Sequence, residues 1–269
     1  MRQIPHRRMI RLLAAWGFVV AYLVSPPLAV QLLAQQGLFP FFGSSTAVGG
    51  QVWAYVETTA NRPSGSATTV NHSITTDTTG NTLIAWVSWG SATGSVDTVT
   101  DDKSQTWAQC GAAGVIQGNG YSLVAYVAGN AASGATSVTA DFDGASSYTL
   151  RSLVLQEYSG LATSPCDLSK GRSMTNPGTG TNAVTTDPSG TIAQANSLAV
   201  ACTVVNNGTV DVTTGTNVAW TGRYDAAGHT SEVIHCEDYN IPSVTTVEAT
   251  WTINVGTNDP NSIVVVLKQ

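Results

Sequence analysis

The chain has 269 residues, 42% of them hydrophobic and only 10% charged, against roughly 25% charged in an average globular protein. It can bury a core, which excludes a disordered chain, and Thr, Ser, Asn and Gly must supply most of its wetted surface, as in extracellular β-proteins. The net charge of −6 is unevenly spread: Arg2, Arg7, Arg8 and Arg11 precede the first acid, Glu57, leaving seven basic against seventeen acidic residues in the body, a balance that repels phosphate backbones and argues against nucleic acid as a partner.

The amino terminus opens with MRQIPHRRMIR and continues into the apolar stretch LLAAWGFVVAYLV (12–24). A basic region followed by a short apolar one is the pattern of a secretory signal peptide. A membrane-spanning helix needs ~20 apolar residues, and Ser25-Pro26-Pro27 interrupts this one early. Residues 1–43 are therefore expected to be a signal peptide, or an anchoring segment with a short apolar helix. The small residues of a cleavage site are poorly placed, since Ala29 follows Pro27-Leu28 and Ala34 follows Leu32-Leu33. A retained LAVQLLAQQGLFPFF (28–42) would be an apolar peg for contact with a membrane or a virus capsid.

After a linker or first strand at 44–68, short β-branched runs are punctuated by Gly, Asn and Asp every eight to twelve or so residues, the signal of an all-β sandwich or barrel. The pattern occurs twice. NTLIAWVSWG (81–90) matches NSLAVACTVV (196–205), and SLVAYVAGN (122–130) matches EVIHCEDYN (232–240). TSVTADF (136–142) matches TTVEATW (245–251), and SLVLQEYS (152–159) matches SIVVVLKQ (262–269). The order implies two related antiparallel β-sandwich units, jelly-roll or immunoglobulin-like, at 69–160 and 183–269. They are tandem or fused, and joined through 161–182.

Parity places Leu83, Ala85, Val87 and Trp89 inward, opposite Leu198, Val200, Cys202 and Val204, and leaves Trp86 on the more weakly buried face. Trp86 has no aromatic counterpart in the second unit, so it is the candidate ligand platform, a flat ring for stacking on sugars. Trp107 and Trp220, like Phe142 and Trp251, fall at similar places in both units and read as core. Glu157 ends an apolar strand, where burial could make it a general acid. Its counterpart is Leu267, so no catalytic group is duplicated, and a paired or solvated strand end is the simpler reading.

Cys110, Cys166, Cys202 and Cys236 form an even, widely spaced set without a CxxC pair, which favours disulfides over zinc. Three connectivities are open beside four free thiols; the expected pairs are Cys110 with Cys166 and Cys202 with Cys236. His72, His229 and His235 are scattered. Asp101-Asp102 and DFDG (141–144) could offer oxygens to calcium but lack EF-hand spacing and suit turns equally. The GxSxG, HExxH, P-loop and dinucleotide motifs are all missing. No metal or cofactor is expected.

The strand-end EYSGL (157–161), the SPCD of Ser164 to Asp167, GNTL (80–83) and SLAVACTVV (197–205) together resemble a class of exported bacterial and phage β-sandwich modules. In these, EYSG, a short gap and P-x-D recur. The resemblance runs from about Thr69 to Gln269 and implies fold and surface exposure more than activity. Cys166 stands where an apolar residue is expected between Pro and Asp, which fits a disulfide added there. The resulting expectation is an exported, non-enzymatic surface protein, structural or adhesive, binding glycans or a protein surface partner and able to gain strength from multimeric assembly. The alternatives are a virion component, such as a capsid decoration or fibre held by residues 1–42, and a secreted hydrolase.

Overall fold

Four runs of the sequence are apolar without alternation: LIAWV (83–87), LVAYVA (123–128), LAVAC (198–202) and IVVVL (263–267). A strand of this kind has no face suited to water and must be covered on both sides. The computed structural model resolves how. It describes residues 53–269 apart from 77, 111–115, 119, 144–146, 174–181, 206–211, 215–216, 226–231 and 254–258. The expected leader, anchor and apolar helix of residues 1–43 lie outside the described residues, as does His229.

The described residues are all-β and antiparallel. The first half of the chain runs through β1 (Ala54–Asn61), β2 (Thr69–Thr76), β3 (Asn81–Trp89), β4 (Val96–Asp101), β5 (Ala108–Gln109), β6 (Ile116–Gly118), β7 (Tyr121–Ala131), β8 (Gly134–Phe142) and β9 (Ser152–Ser159). The second half contains β10 (Cys166–Ser173), β11 (Asn182–Thr185), β12 (Ser197–Val205), β13 (Val212–Thr213), β14 (Thr221–Asp225), β15 (Val233–Ile241), β16 (Thr250–Ile253) and β17 (Asn261–Leu267). In the first half, strands alternate between a large sheet of order β1-β9-β3-β7-β5, with β6 also on β7, and a small sheet β2-β8-β4. The second half repeats this order as β10-β17-β12-β15-β14 and β11-β16-β13.

The two large sheets pack face to face and each small sheet covers an outer side, giving four layers and three cores. Between the large sheets lie Ile84, Trp86, Leu123 and Val154 against Leu198, Val200, Ile263 and Val265. The first half's outer core gathers Leu83, Val87, Trp89, Val138 and Phe142; the second's gathers Ala199, Ala201, Val264 and Trp251. Burial follows the layering. All nine residues of β3 and of β12 are buried, whereas β8 on the outside alternates between buried and wetted positions.

This arrangement corrects the phase expected from sequence. Leu83 and Ala85 face the outer core of their half, but Leu198 and Val200 face the central one. The residues occupying the places of Leu83 and Ala85 are Ala199 and Ala201, so matching the two Asn-x-Leu triplets slips the strands by one residue. Such a slip exchanges the faces of a strand, and a strand apolar on both carries no polar face to expose the error.

Trp86 is corrected with it. Its ring is fully buried between the large sheets, with Nε1 donating to Gln156 Oε1 at 2.7 Å. No face is left for a sugar to stack on.

Candidate functional site

Stacking the six-stranded sheet of the first half on the five-stranded sheet of the second brings edge strand to edge strand along two rims. At one rim β14 lies near the start of β1, and at the other the segment around β5 lies near the start of β10. Each rim holds a pocket, and the two occupy corresponding places in the repeated strand order. Ala108 pairs with Val127 across β5 and β7 as Thr221 pairs with Asp238 across β14 and β15. The pocket of about 290 Å³ is lined by Trp53, Thr221, Arg223, Asp238, Tyr239 and Asn240. That of about 320 Å³ is lined by Thr106, Ala108, Val127, Gly129, Pro165, Cys166 and Lys268, among others. Val127 thus stands where the first pocket has Asp238, and Gly129 where it has Asn240.

The chemistry of the first rim starts from a backbone irregularity. The β14–β15 register shifts between Gly222 and Tyr224, and a bulge of this kind on an edge strand re-aims the side chain it carries. Arg223 at the bulge reaches Asp238, Nε donating to Oδ2 at 2.5 Å, while its guanidinium lies 4.2 Å above the Tyr55 ring. The Tyr158 hydroxyl donates to the same Asp238 oxygen at 3.1 Å, and Trp53 Nε1 donates to Asn240 Oδ1 at 3.2 Å. Tyr55, Tyr158 and Trp53 belong to the first half and their partners to the second.

Asp238 is 1% exposed. Burial pushes its carboxyl above the ordinary aspartate range, against the opposing pull of Arg223 and Tyr158. An ion pair alone would lower it; desolvation outweighs the pair because the arginine side chain, 24% exposed, shares its charge with water. Burial also holds the Tyr158 hydroxyl well up, with Asp238 adding to the effect, so it remains a donor. For Arg223, desolvation acts downward, and the bond and charge of Asp238 overcome it, leaving the guanidinium raised. The pocket therefore offers a buried acceptor, a half-buried fixed cation, a side-chain amide and a hydroxyl between apolar walls of Trp53 and Tyr239. Such a mixture suits a small, neutral, hydroxyl-rich ligand.

The second rim carries sulfur. The Cys110 thiol is hydrogen-bonded to Cys166 and also points at the carbonyls of Leu168 and Val266, each at 3.9 Å. Cys110 is buried and Cys166 half-buried, both as free thiols. The bond from Cys110, followed by the charge of Lys268, lowers Cys166 below the usual thiol range despite its burial; the same bond pushes Cys110 far up. Of the two pairs expected from sequence, the structure joins Cys202 to Cys236, across paired positions of β12 and β15 with Cα atoms 4.1 Å apart. It places Cys110 and Cys166 together without the bond.

The segment between the halves has a structural explanation. Gly160, at φ +75°, turns the chain out of β9. Pro165 O then accepts from Lys268 N at 2.7 Å, and Asp167 Oδ2 accepts from Ala193 N at 2.7 Å. The EYSG and P-x-D residues thus lead the chain from one half to the other and pin it there. Glu157 is fully buried, its Oε1 accepting from Asn81 Nδ2. It lines neither rim pocket, and it is paired as expected but not wetted.

Another buried carboxylate carries no signal in the sequence. Glu232, 1% exposed, accepts from Ser88 Oγ at 2.5 Å and Ser152 Oγ at 3.0 Å. Arg62 donates to its backbone carbonyl. Burial raises Glu232 above the ordinary glutamate range, against the two hydroxyls and Arg62. His235 is buried, with Nε2 3.3 Å from Thr214 Oγ1 and Nδ1 4.0 Å from Asp225. Asp101 organises a turn, accepting from Lys103 N at 2.7 Å and Trp107 Nε1 at 2.5 Å. Asp143 accepts from the Tyr148 hydroxyl at 3.0 Å. Among the described residues no cluster of three or more His, Cys, Asp or Glu could hold a metal ion.

The chain matches no family model, no curated protein and no solved structure. Its chemistry must therefore be read from its own residues.

Proposed function

We propose that this is an exported, non-enzymatic surface protein built from two related jelly-roll-like units, and that it binds glycans at the rim formed by Trp53, Arg223, Asp238 and Asn240. The repeated strand order, which crosses between a large and a small sheet at nearly every step, supports the relation between the units. The observation that carries the binding site is the pocket of about 290 Å³, where polar groups of both charges and an amide converge beside two aromatic side chains. Sugars present alternating hydroxyl donors and acceptors on an apolar ring, and a site of this composition satisfies both. A single pocket of this size supports weak affinity, which multiple copies on a surface would strengthen.

The test is a glycan array probed with the full chain and with the Thr221→Ala and Asn240→Ala variants. The expected result is selective binding by the wild type that both variants reduce, while thermal melting shows that they fold. An array blank at high protein concentration, or binding that both folded variants retain in full, would overturn the proposal.

A further inference from the structure

The rim opposite the polar pocket holds two free thiols in hydrogen-bond contact, one of them open to a cavity. Cys166 lines the pocket of about 320 Å³ beside Lys268, Thr106 and Pro165, whereas Cys110 lies behind it, 3% exposed. Cys110 follows the short edge strand β5 of the first half, and Cys166 opens the edge strand β10 of the second. A bond between them would join the two large sheets at one margin.

We propose that Cys166 and Cys110 are a modification site for thiol–disulfide exchange, in which a small-molecule disulfide enters the pocket, reacts at Cys166 and is displaced by Cys110 to leave a disulfide between the halves. In the first step the Cys166 thiolate attacks one sulfur of the oxidant RSSR, forming Cys166–S–S–R and releasing one RS⁻. In the second, Cys110 gives up its proton and attacks the Cys166 sulfur, releasing the second RS⁻. The protein loses two hydrogens, and RSSR becomes two RSH.

The order follows from access and charge. An entering disulfide reaches only the half-buried sulfur, and the ammonium of Lys268 and the bond from Cys110 favour its thiolate. Once that sulfur is capped, the hydrogen bond and charge of the Cys166 thiolate no longer raise Cys110, and burial alone opposes loss of its proton, so it can act as the resolving group. The inference is independent of the glycan-binding reading, since it uses neither that rim nor its residues.

The experiment treats the full chain, with Cys110 and Cys166 reduced and the buried Cys202–Cys236 bond intact, with oxidised glutathione, blocks remaining thiols with iodoacetamide, and reads intact mass and peptide maps. Wild type is expected to lose two alkylatable thiols, retain no glutathione and yield a Cys110–Cys166 crosslinked peptide. Cys110→Ser is expected to keep one glutathionyl group on Cys166. In Cys166→Ser, Cys110 should react about tenfold or more slowly than Cys166 does in Cys110→Ser, because it is buried. The proposal is overturned if wild type keeps both thiols alkylatable or holds a stable glutathione adduct. It is overturned equally if Cys110 in the folded Cys166→Ser variant reacts as fast as Cys166. The wild-type result decides alone should either variant fail to fold.

Discussion

Replacing Arg223 by alanine removes one contact within the second half's large sheet and one that crosses the central interface. The first is the charge-assisted bond to Asp238 at 2.5 Å, which for such bonds is worth about 1.5–3 kcal/mol. The second is the guanidinium over Tyr55 at 4.2 Å, worth about 0.5–1 kcal/mol near a surface. The expected loss is therefore about 2–4 kcal/mol, at the low end for breaking a buried pair because Arg223 is a quarter exposed. In a structured body of this size it should lower the melting temperature by roughly 5–15 °C.

The loss should also depend on pH in a definite sense. Without Arg223, Asp238 keeps the Tyr158 bond but has lost its counter-charge, so burial raises its carboxyl further than in the wild type. A carboxyl raised in the folded state contributes stability that is present below its unfolded value and lost as pH rises through its folded value. The variant's deficit should accordingly be full at neutral pH and shrink on acidification, as Asp238 takes up a proton in the folded variant first. Denaturant unfolding of Arg223→Ala, Asp238→Asn and the double variant measures this directly. The cycle should give a coupling of about 1.5–3 kcal/mol at neutral pH that fades in acid. A coupling near zero at neutral pH, or one that grows in acid, would refute this account of Asp238.

Three further outcomes are expected. Replacing Cys202 and Cys236 together by alanine opens a loop of sequence separation 34 and should cost ~4 kcal/mol by the chain-entropy relation, read from denaturant midpoints. Glu232→Gln mimics the protonated form that burial favours. Its stability relative to wild type should rise as pH increases from the ordinary glutamate range through the raised folded value, and a difference independent of pH would exclude ionised Glu232 as the cause. Gly129→Ala places a Cβ 2.5 Å from Thr163 O and 2.6 Å from Pro165 Cδ, so backbone must move; a loss of about 1–3 kcal/mol and a changed alkylation rate at Cys166 are expected.

The all-β class and the repeated order of elements were legible because turn residues and β-branched runs are local signals. The stacking of the large sheets was written in the same runs, since IVVVL and LIAWV have no polar face, but reading them as half-buried concealed it. That assumption left Trp86 near solvent and let the slip of one residue pass. The first rim was not legible. Trp53 precedes the first expected unit, Arg223 acts through a bulge, and Asp238 sits in a run, HCED, whose acids carry no motif. What marks Asp238 is its phase: it follows Ile234 and Cys236 at a spacing of two, so it must point into the central core, where a carboxylate requires partners. The same count finds Tyr158 after Val154 and Gln156 on β9.

The bonds across the central interface also bear on whether either half could stand alone. Apolar contact between the large sheets is non-directional and would tolerate several stacking angles. Tyr158 with Asp238, Ser88 and Ser152 with Glu232, Trp53 with Asn240, and Asn261 Nδ2 with the Tyr121 carbonyl at 3.1 Å each allow only one. Separating the halves would expose nine-residue strands apolar on both faces and strip these groups of their partners. The repeated strand order therefore stacks the two halves as one body, and its two rims, alike in backbone pairing, differ in chemistry. At one, Asp238 and Asn240 open a polar pocket; at the other, Val127 and Gly129 leave room for the chain to cross and for two thiols to meet.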